Sequence, residues 1–302
     1  MKQLRTSLLL VSTIIALSGC RQESSDSSDS TDTQADSLES AITMIAGQAD
    51  DASGGSFALQ TKSNAWKYAA VESLFYGSAN AANCGRAYNQ ACNNSTGTKS
   101  ITYNSCDISA RGFSLSGNVT LQYDNNNCSL GVGESVTRTY DHTITGPRGG
   151  AIQTTSALRS AYDGTQIGGG GMLAHTSATL WTLEIAGKHK IGTRNGRTLF
   201  DVSARTTTPI AISNTLSRSG RTIGSGAIEV KHNRAGFTTT YTANSGQPLV
   251  WNSTCCHPVS GRLDATFSDA ITGSGSITFN GCGTAVLSKD GSTRTLSLGY
   301  CE

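Results

Sequence analysis

Beyond residue 97 the chain alternates strictly between two kinds of position. Val136, Arg138, Tyr140, His142 and Ile144 take turns with Thr137, Thr139, Asp141, Thr143 and Thr145, and Phe237, Thr239, Tyr241 and Ala243 with Thr238, Thr240 and Thr242. A period of two, with Thr on one side, predicts antiparallel strands that have one face on a core and one in water. The same reading predicts strands over 99–106, 113–123, 176–185, 197–205, 227–232, 262–267, 275–280, 284–288 and 293–300. Asn195-Gly196 and Asp290-Gly291 are the hairpin turns such strands need, because both central residues of a tight turn take positive φ. Gly168 to Gly171 is an unbroken glycine run and reads as a loop or sharp bend. The Thr positions share no fixed spacing from strand to strand, so they read as wet strand faces.

Ahead of this region the period is helical. Asp36 as N-cap, Glu39 three residues on, and Leu38, Ala41, Ile42 and Ile45 on one stripe predict a helix over 36–50. Trp66, Ala69, Ala70, Leu74 and Phe75 predict a second over 64–76. Both stripes are expected to pack on the body. The fold class is therefore mainly β: an antiparallel meander, sandwich or open/half barrel with one or two short N-terminal helices, stapled by disulfides.

The first twenty residues carry an address. Lys2 and Arg5 precede an apolar stretch from Leu8 to Leu17, then small residues and Cys20. This is a signal-peptide layout, too short to span a bilayer comfortably. Leu17-Ser18-Gly19-Cys20 resembles a bacterial lipobox. The resemblance covers these residues only and implies cleavage after residue 19, acylation of Cys20 and stable membrane anchoring. Arg21, where inner-membrane lipoproteins tend to carry Asp, favours the outer membrane; whether the body faces the periplasm or the surface stays open.

Charge divides the rest. Residues 21–55 hold one Arg against eight acidic residues, whereas 56–302 hold 20 basic against 13 acidic, so the overall +2 conceals two segments of opposite sign. The run RQESSDSSDSTDT has no aliphatic or aromatic residue and cannot bury enough surface to offset its ordering entropy. The expected organisation is a signal peptide (1–19), a lipid-anchored acidic tether (20–55) and a Thr/Gly-rich β body (56–302), with two related halves at about 56–146 and 150–302. The basic body suits lipopolysaccharide phosphates or anionic glycan. Its Arg and Lys residues are scattered singly, which argues against a specific nucleic-acid platform.

Nine cysteines become eight once Cys20 is lipidated: Cys84, Cys92, Cys106, Cys128, Cys255, Cys256, Cys282 and Cys301. Export favours four disulfides. Ser100-Ile101-Thr102-Tyr103-Asn104-Ser105-Cys106 resembles Ser276-Ile277-Thr278-Phe279-Asn280-Gly281-Cys282, a weak internal repeat. The preferred pairings are Cys106 with Cys128, Cys282 with Cys301 and Cys84 with Cys92. Cys255 and Cys256 then form a strained vicinal bond or, as the more ordinary arrangement, go to two different partners. Cys255, Cys256, His257 and Cys282 have the ligand types of a zinc or copper site, but adjacent cysteines suit one ion poorly and no metal or other cofactor is expected.

No catalytic fingerprint occurs, and His142, His175, His189, His232 and His257 are dispersed. His142 beside Asp141 reads as a surface pair on opposite strand faces. The expected function is a membrane-anchored, non-enzymatic binding or envelope-structural module for a glycan, lipid or protein partner. Thr165 to Met172 and Gln247 to Trp251 are candidate contact loops, Trp251 being either a stacking platform or a core residue. The alternatives are a hydrolase with a dispersed site and a lipid-carrying half-barrel.

Overall fold

A computed structural model describes residues 90–109, 113–156 and 170–298, together with helical positions 34, 37, 38, 40–42, 45, 46 and 49. Fifteen strands form one antiparallel sheet: β1 (Thr98–Ser109), β2 (Phe113–Tyr123), β3 (Ser135–Thr145), β4 (Gly150–Thr155), β5 (Gly171–Ser177), β6 (Leu180–Ile185), β7 (Lys188–Arg194), β8 (Arg197–Ser213), β9 (Thr222–His232), β10 (Phe237–Ala243), β11 (Leu249–Val250), β12 (Gly261–Asp269), β13 (Gly273–Phe279), β14 (Thr284–Lys289) and β15 (Ser292–Ser297).

The strand order reduces to a plain meander. β4 pairs with the second half of β3 and β5 with its first half, in the same direction, so β4 and β5 are two parts of one strand interrupted between them. β6 and β7 are likewise collinear: β6 lies against β5 and the end of β8, β7 against β4 and the start of β8. β10 and β11 share β9 in the same way. At the first break Ser156 continues the pairing with Tyr140, and Gly170 resumes it against Arg138. Only glycine fits at Gly170, since φ is +64° and a Cβ would lie 1.9 Å from the Arg138 carbonyl oxygen. Twelve antiparallel passes result, with β1 and β15 as the outer members of the order.

Alternation assigns the two faces. Inward positions from β2 to β15, among them Leu121, Val136, Leu183, Val202, Ile212, Val230, Tyr241, Ala265, Ile277, Leu287 and Leu296, belong to one core cluster. Leu38, Ala41, Ile42, Ile45, Ala46 and Ala49 belong to it too. Gln34, Ser37, Leu38, Ala41, Ile42, Ile45, Ala46 and Ala49 are all helical and buried, and their spacing is that of a single helix face. Leu38, Ala41 and Ile42 of the expected stripe thus do pack on the body. The helix already includes Gln34, ahead of the cap expected at Asp36. Its stripe extends through Gln34 and Ser37, polar residues that a count of aliphatic positions leaves in the tether. Ser37 is held from the sheet by the Tyr241 hydroxyl, which donates to its Oγ at 3.0 Å. Burial pushes the Tyr241 pKa well above its ordinary value. The helix expected over 64–76 lies outside the described residues.

The Asn195-Gly196 and Asp290-Gly291 turns both have two consecutive positive φ angles and connect β7 to β8 and β14 to β15. The stretch expected as one strand over 176–185 is instead two, β5 and β6, with a turn at Ala178-Thr179; Gly171 of the glycine run opens β5. The sheet runs without interruption across the boundary drawn between two halves, through the β3–β4 pairing. Ser105 and Gly281, the residues before Cys106 and Cys282, both have positive φ, but Cys106 lies within β1 and Cys282 in the loop after β13.

The disulfides differ from the preferred pairs. Cys92 bonds Cys128 and Cys255 bonds Cys282. Cys106 and Cys256 are also disulfide-bonded, which excludes a vicinal bond and leaves Cys255 and Cys256 with two different partners. Both described bridges tie a loop outside the strands, carrying Cys92 or Cys255, to the loop beyond a strand end. Cys84 and Cys301 lie outside the described residues, as does Cys20.

Candidate functional site

An inward face of a β-sheet is expected to be apolar, and here one part of it is not. Register places Tyr103, Gly117, His142, Thr154, Lys190, Val202 and His232 side by side across β1, β2, β3, β4, β7, β8 and β9. The neighbouring positions bring in Tyr140, Arg138 and Lys188. That these face inward follows from their partners: Lys188 pairs with Ala204 and Lys190 with Val202, both core residues. Three side chains converge on the Tyr140 ring. The Arg138 guanidinium lies 5.4 Å and the Lys188 ammonium 5.2 Å from the Tyr140 centroid, and His142 meets it edge-on at 6.0 Å. Lys99 stands over Tyr123 at 5.4 Å on the flank of this group. Burial raises the Tyr123 pKa.

The sign of the patch is set by strand alternation. Asp141, Glu184, Asp201 and Glu229, the acidic residues of β3, β6, β8 and β9, take the opposite parity and face outward. Glu229 pairs there with Arg205 at 2.9 Å. Arg138 and Lys188 share a ring and so lie within about 11 Å of each other; at an effective dielectric constant near 20 their repulsion is at least about 1.5 kcal/mol. Attraction to the Tyr140 π-face, about 0.5–2 kcal/mol for each cation, offsets this. Access differs along the patch, since Lys188, Lys190 and Thr154 are buried while Arg138, His142, Tyr103 and Lys99 are half-buried.

A second polar group sits on the outward face of β7, β8 and β9. His189 Nε2 and Asp201 Oδ1 are 2.9 Å apart, the Asn233 amide donates to Asp201 Oδ1 at 2.8 Å and to Ser203 Oγ at 3.1 Å, and Ser203 lies directly opposite His189. Ser, His and Asp are thus neighbours. Ser203 is fully buried and its oxygen accepts from Asn233, so the group acts as a clasp joining three strands rather than presenting a nucleophile.

The residues singled out from sequence do not meet at one place. Trp251 is buried, with its indole N–H donating to the Cys256 carbonyl at 3.0 Å and Arg221 over its ring at 5.7 Å. It is a core residue, not an exposed stacking platform. Of the loop from Thr165 to Met172, only 170–172 are described, and Gly171 and Met172 are strand residues. Cys255 and Cys282 bond each other and Cys256 is disulfide-bonded, so no thiolate remains beside His257 for a metal. His257 is buried and its pKa is lowered to about 4 by loss of hydration, with Arg218 adding to the effect. Asp141 and His142 do point to opposite faces, but His142 points inward, so the pair is not a surface pair. The sequence does not reveal the inner patch, because Arg138 reads as one position of an alternating strand and His142 as half of a surface pair with Asp141. The available signal was two ionisable residues on the same parity as Val136, Tyr140 and Ile144.

Set against protein-family models, curated proteins and solved structures, the chain matches none of them. Among the described residues no helix is long and apolar enough to cross a membrane.

Proposed function

We propose that this protein is an exported, lipid-anchored binding module that takes an anionic group of the cell envelope, on a glycan or a lipid headgroup, at the cationic inner face of its β-sheet, without turnover. The observation that carries this reading is the convergence of Arg138 and Lys188 on the Tyr140 ring, with Lys190 and His142 beside them. Arg and Lys embedded among aromatic rings are less hydrated than at a free surface, so their pull on an anion is stronger there. The lipobox-like Leu17-Ser18-Gly19-Cys20 supports anchoring through Cys20, and Arg21 supports the outer membrane. A module of this kind fits the outward clasp better than a hydrolase does, because Ser203 is sealed. It also fits the helix docked on the inner face better than a lipid-chain carrier, whose cargo would have to displace Leu38 and Ile42.

The test is calorimetric titration of the mature protein with inorganic phosphate and with acetate at low salt. Saturable binding of at least one anion, weakened tenfold or more in Arg138→Gln and reduced by added salt, is expected. No saturable binding of either anion, or binding unchanged in the variant, overturns the reading. Anchoring is tested separately by radiolabelled fatty acid, whose incorporation is expected to vanish in Cys20→Ser.

A further inference from the structure

We infer, resting on the lipid-anchor reading just given, that the docked N-terminal helix is a strap that ends the tether near residue 34 and keeps the body close to its own membrane. Composition alone assigns residues 20–55 to one tether, and packing divides that segment. One helix face is buried from Gln34 to Ala49, with Leu38, Ala41 and Ile42 fully enclosed and belonging to the core cluster of the sheet. The hold begins at the end of the helix that leads back to Cys20. There the Tyr241 hydroxyl donates to Ser37 Oγ at 3.0 Å. Tyr241 itself stands between Ile228 of β9 and Ala265 of β12, well inside the sheet, so the strap is fastened to the middle of the meander and not to an outer strand.

Chain length turns this fastening into a distance. A polypeptide spans at most about 3.6 Å per residue. Whatever the conformation of residues 21–33, the 14 steps from Cys20 to Gln34 therefore reach no further than about 50 Å. The 36 steps from Cys20 to Ser56, which a tether over the whole acidic segment would provide, reach about 130 Å. The volume open to an anchored body grows as the cube of its reach, so the strap concentrates the body at its membrane by more than about tenfold. That favours one source for the anionic group proposed above: a headgroup or glycan borne by the membrane that carries the anchor, in preference to a polymer standing free of it.

The test is neutron reflectometry of the acylated mature protein on a supported bilayer, which measures the height of the body above the headgroups. A 28-residue Gly/Ser insert after Thr33 is compared with the same insert after Ala52. The first lengthens the leash from 14 to 42 steps and, at about 5–6 Å times the square root of the step number, is expected to raise the body by about 15 Å. The second lies beyond the strap and is expected to raise it by less than a third of that. A similar rise with both inserts, or none with the first, overturns the strap. Amide hydrogen exchange in the wild-type protein reads the docking with no variant at all: Leu38, Ala41 and Ile42 are expected to exchange at least about a hundredfold more slowly than Ser24 to Thr31, and equal exchange overturns the strap. Wild-type protein that carries no acyl group and leaves the bilayer overturns the anchoring reading and the membrane claim with it, a result distinct from fast exchange in the helix.

Discussion

Leu38 and Ile42 lie in the segment that composition marks as a tether, yet both are completely buried in the same cluster as the inward residues of the sheet. Replacing either by Ala removes apolar atoms from a packed interior and leaves a cavity, a change that costs about 2–5 kcal/mol in cores of this kind. For a body of this size each kcal/mol moves the melting temperature by about 2–4 °C, so a loss near 3 kcal/mol lowers it by roughly 6–12 °C. Thermal unfolding followed by tryptophan fluorescence reads this directly, because Trp251 is buried and Trp181 packs on the core. Leu38→Met, which keeps the volume, is the control and should cost less than about 1.5 kcal/mol. Since Leu38 and Ile42 are one helical turn apart, the double Ala variant should fall short of the sum of the single effects as the two cavities merge. Melting of Leu38→Ala and Ile42→Ala within about 1 °C of the wild type would refute the placement of the helix in the core.

Three further outcomes are expected. Burial lowers the pKa of His232 to about 4, Arg234 adding to this and Asp201 opposing it, and lowers that of His257 to about 4. Both protonate near 6.5 in the unfolded chain, so the unfolded state binds more protons, and stability held above pH 6.5 should be lost as pH falls through about 4. With both contributing, the unfolding free energy from urea titrations should drop by up to about 2.7 kcal/mol per pH unit inside that window, and His257→Gln should flatten the profile. Removing the 36-residue bridge with Cys92→Ala/Cys128→Ala should cost about 4 kcal/mol, and the 27-residue bridge with Cys255→Ala/Cys282→Ala about 3.5 kcal/mol, each measured by urea unfolding against the oxidised wild type. Gly226→Ala should prevent stable folding, because a Cβ there would come within 2.4 Å of the Ile210 Cα at φ +112°; a soluble variant with wild-type circular dichroism would contradict this.

Strand positions were legible where alternation was unbroken, and β2 and β10 fall where the period places them. Turn chemistry was legible because Asn-Gly and Asp-Gly have few other uses. β4 and β7 were missed: Gly150–Thr155 is short, and in Lys188–Arg194 the inward positions are Lys188, Lys190 and Gly192, which carry no apolar signal. The same lysines are the centre of the candidate site. For Lys188 and Lys190 the cause is that polar residues on the inner parity erase the pattern by which strands are found, whereas Arg138 and His142 sit in a strand whose alternation with Thr stays legible but says nothing of their role. Disulfide partners were not legible because Cys92 and Cys255 sit in loops, whose positions depend on the whole meander. Burial of Trp251 depends on the same long-range path, its backbone N–H donating to the Arg221 carbonyl across the sheet end.

Binding of an anion at the inner patch is tested most directly by lysine acylation mapped by mass spectrometry. With inorganic phosphate present, modification of Lys99, Lys188 and Lys190 is predicted to slow at least threefold, while Lys231 on the outward face and Lys289 near the β14–β15 turn keep their rates. Equal rates at all five lysines with and without the ligand would contradict it.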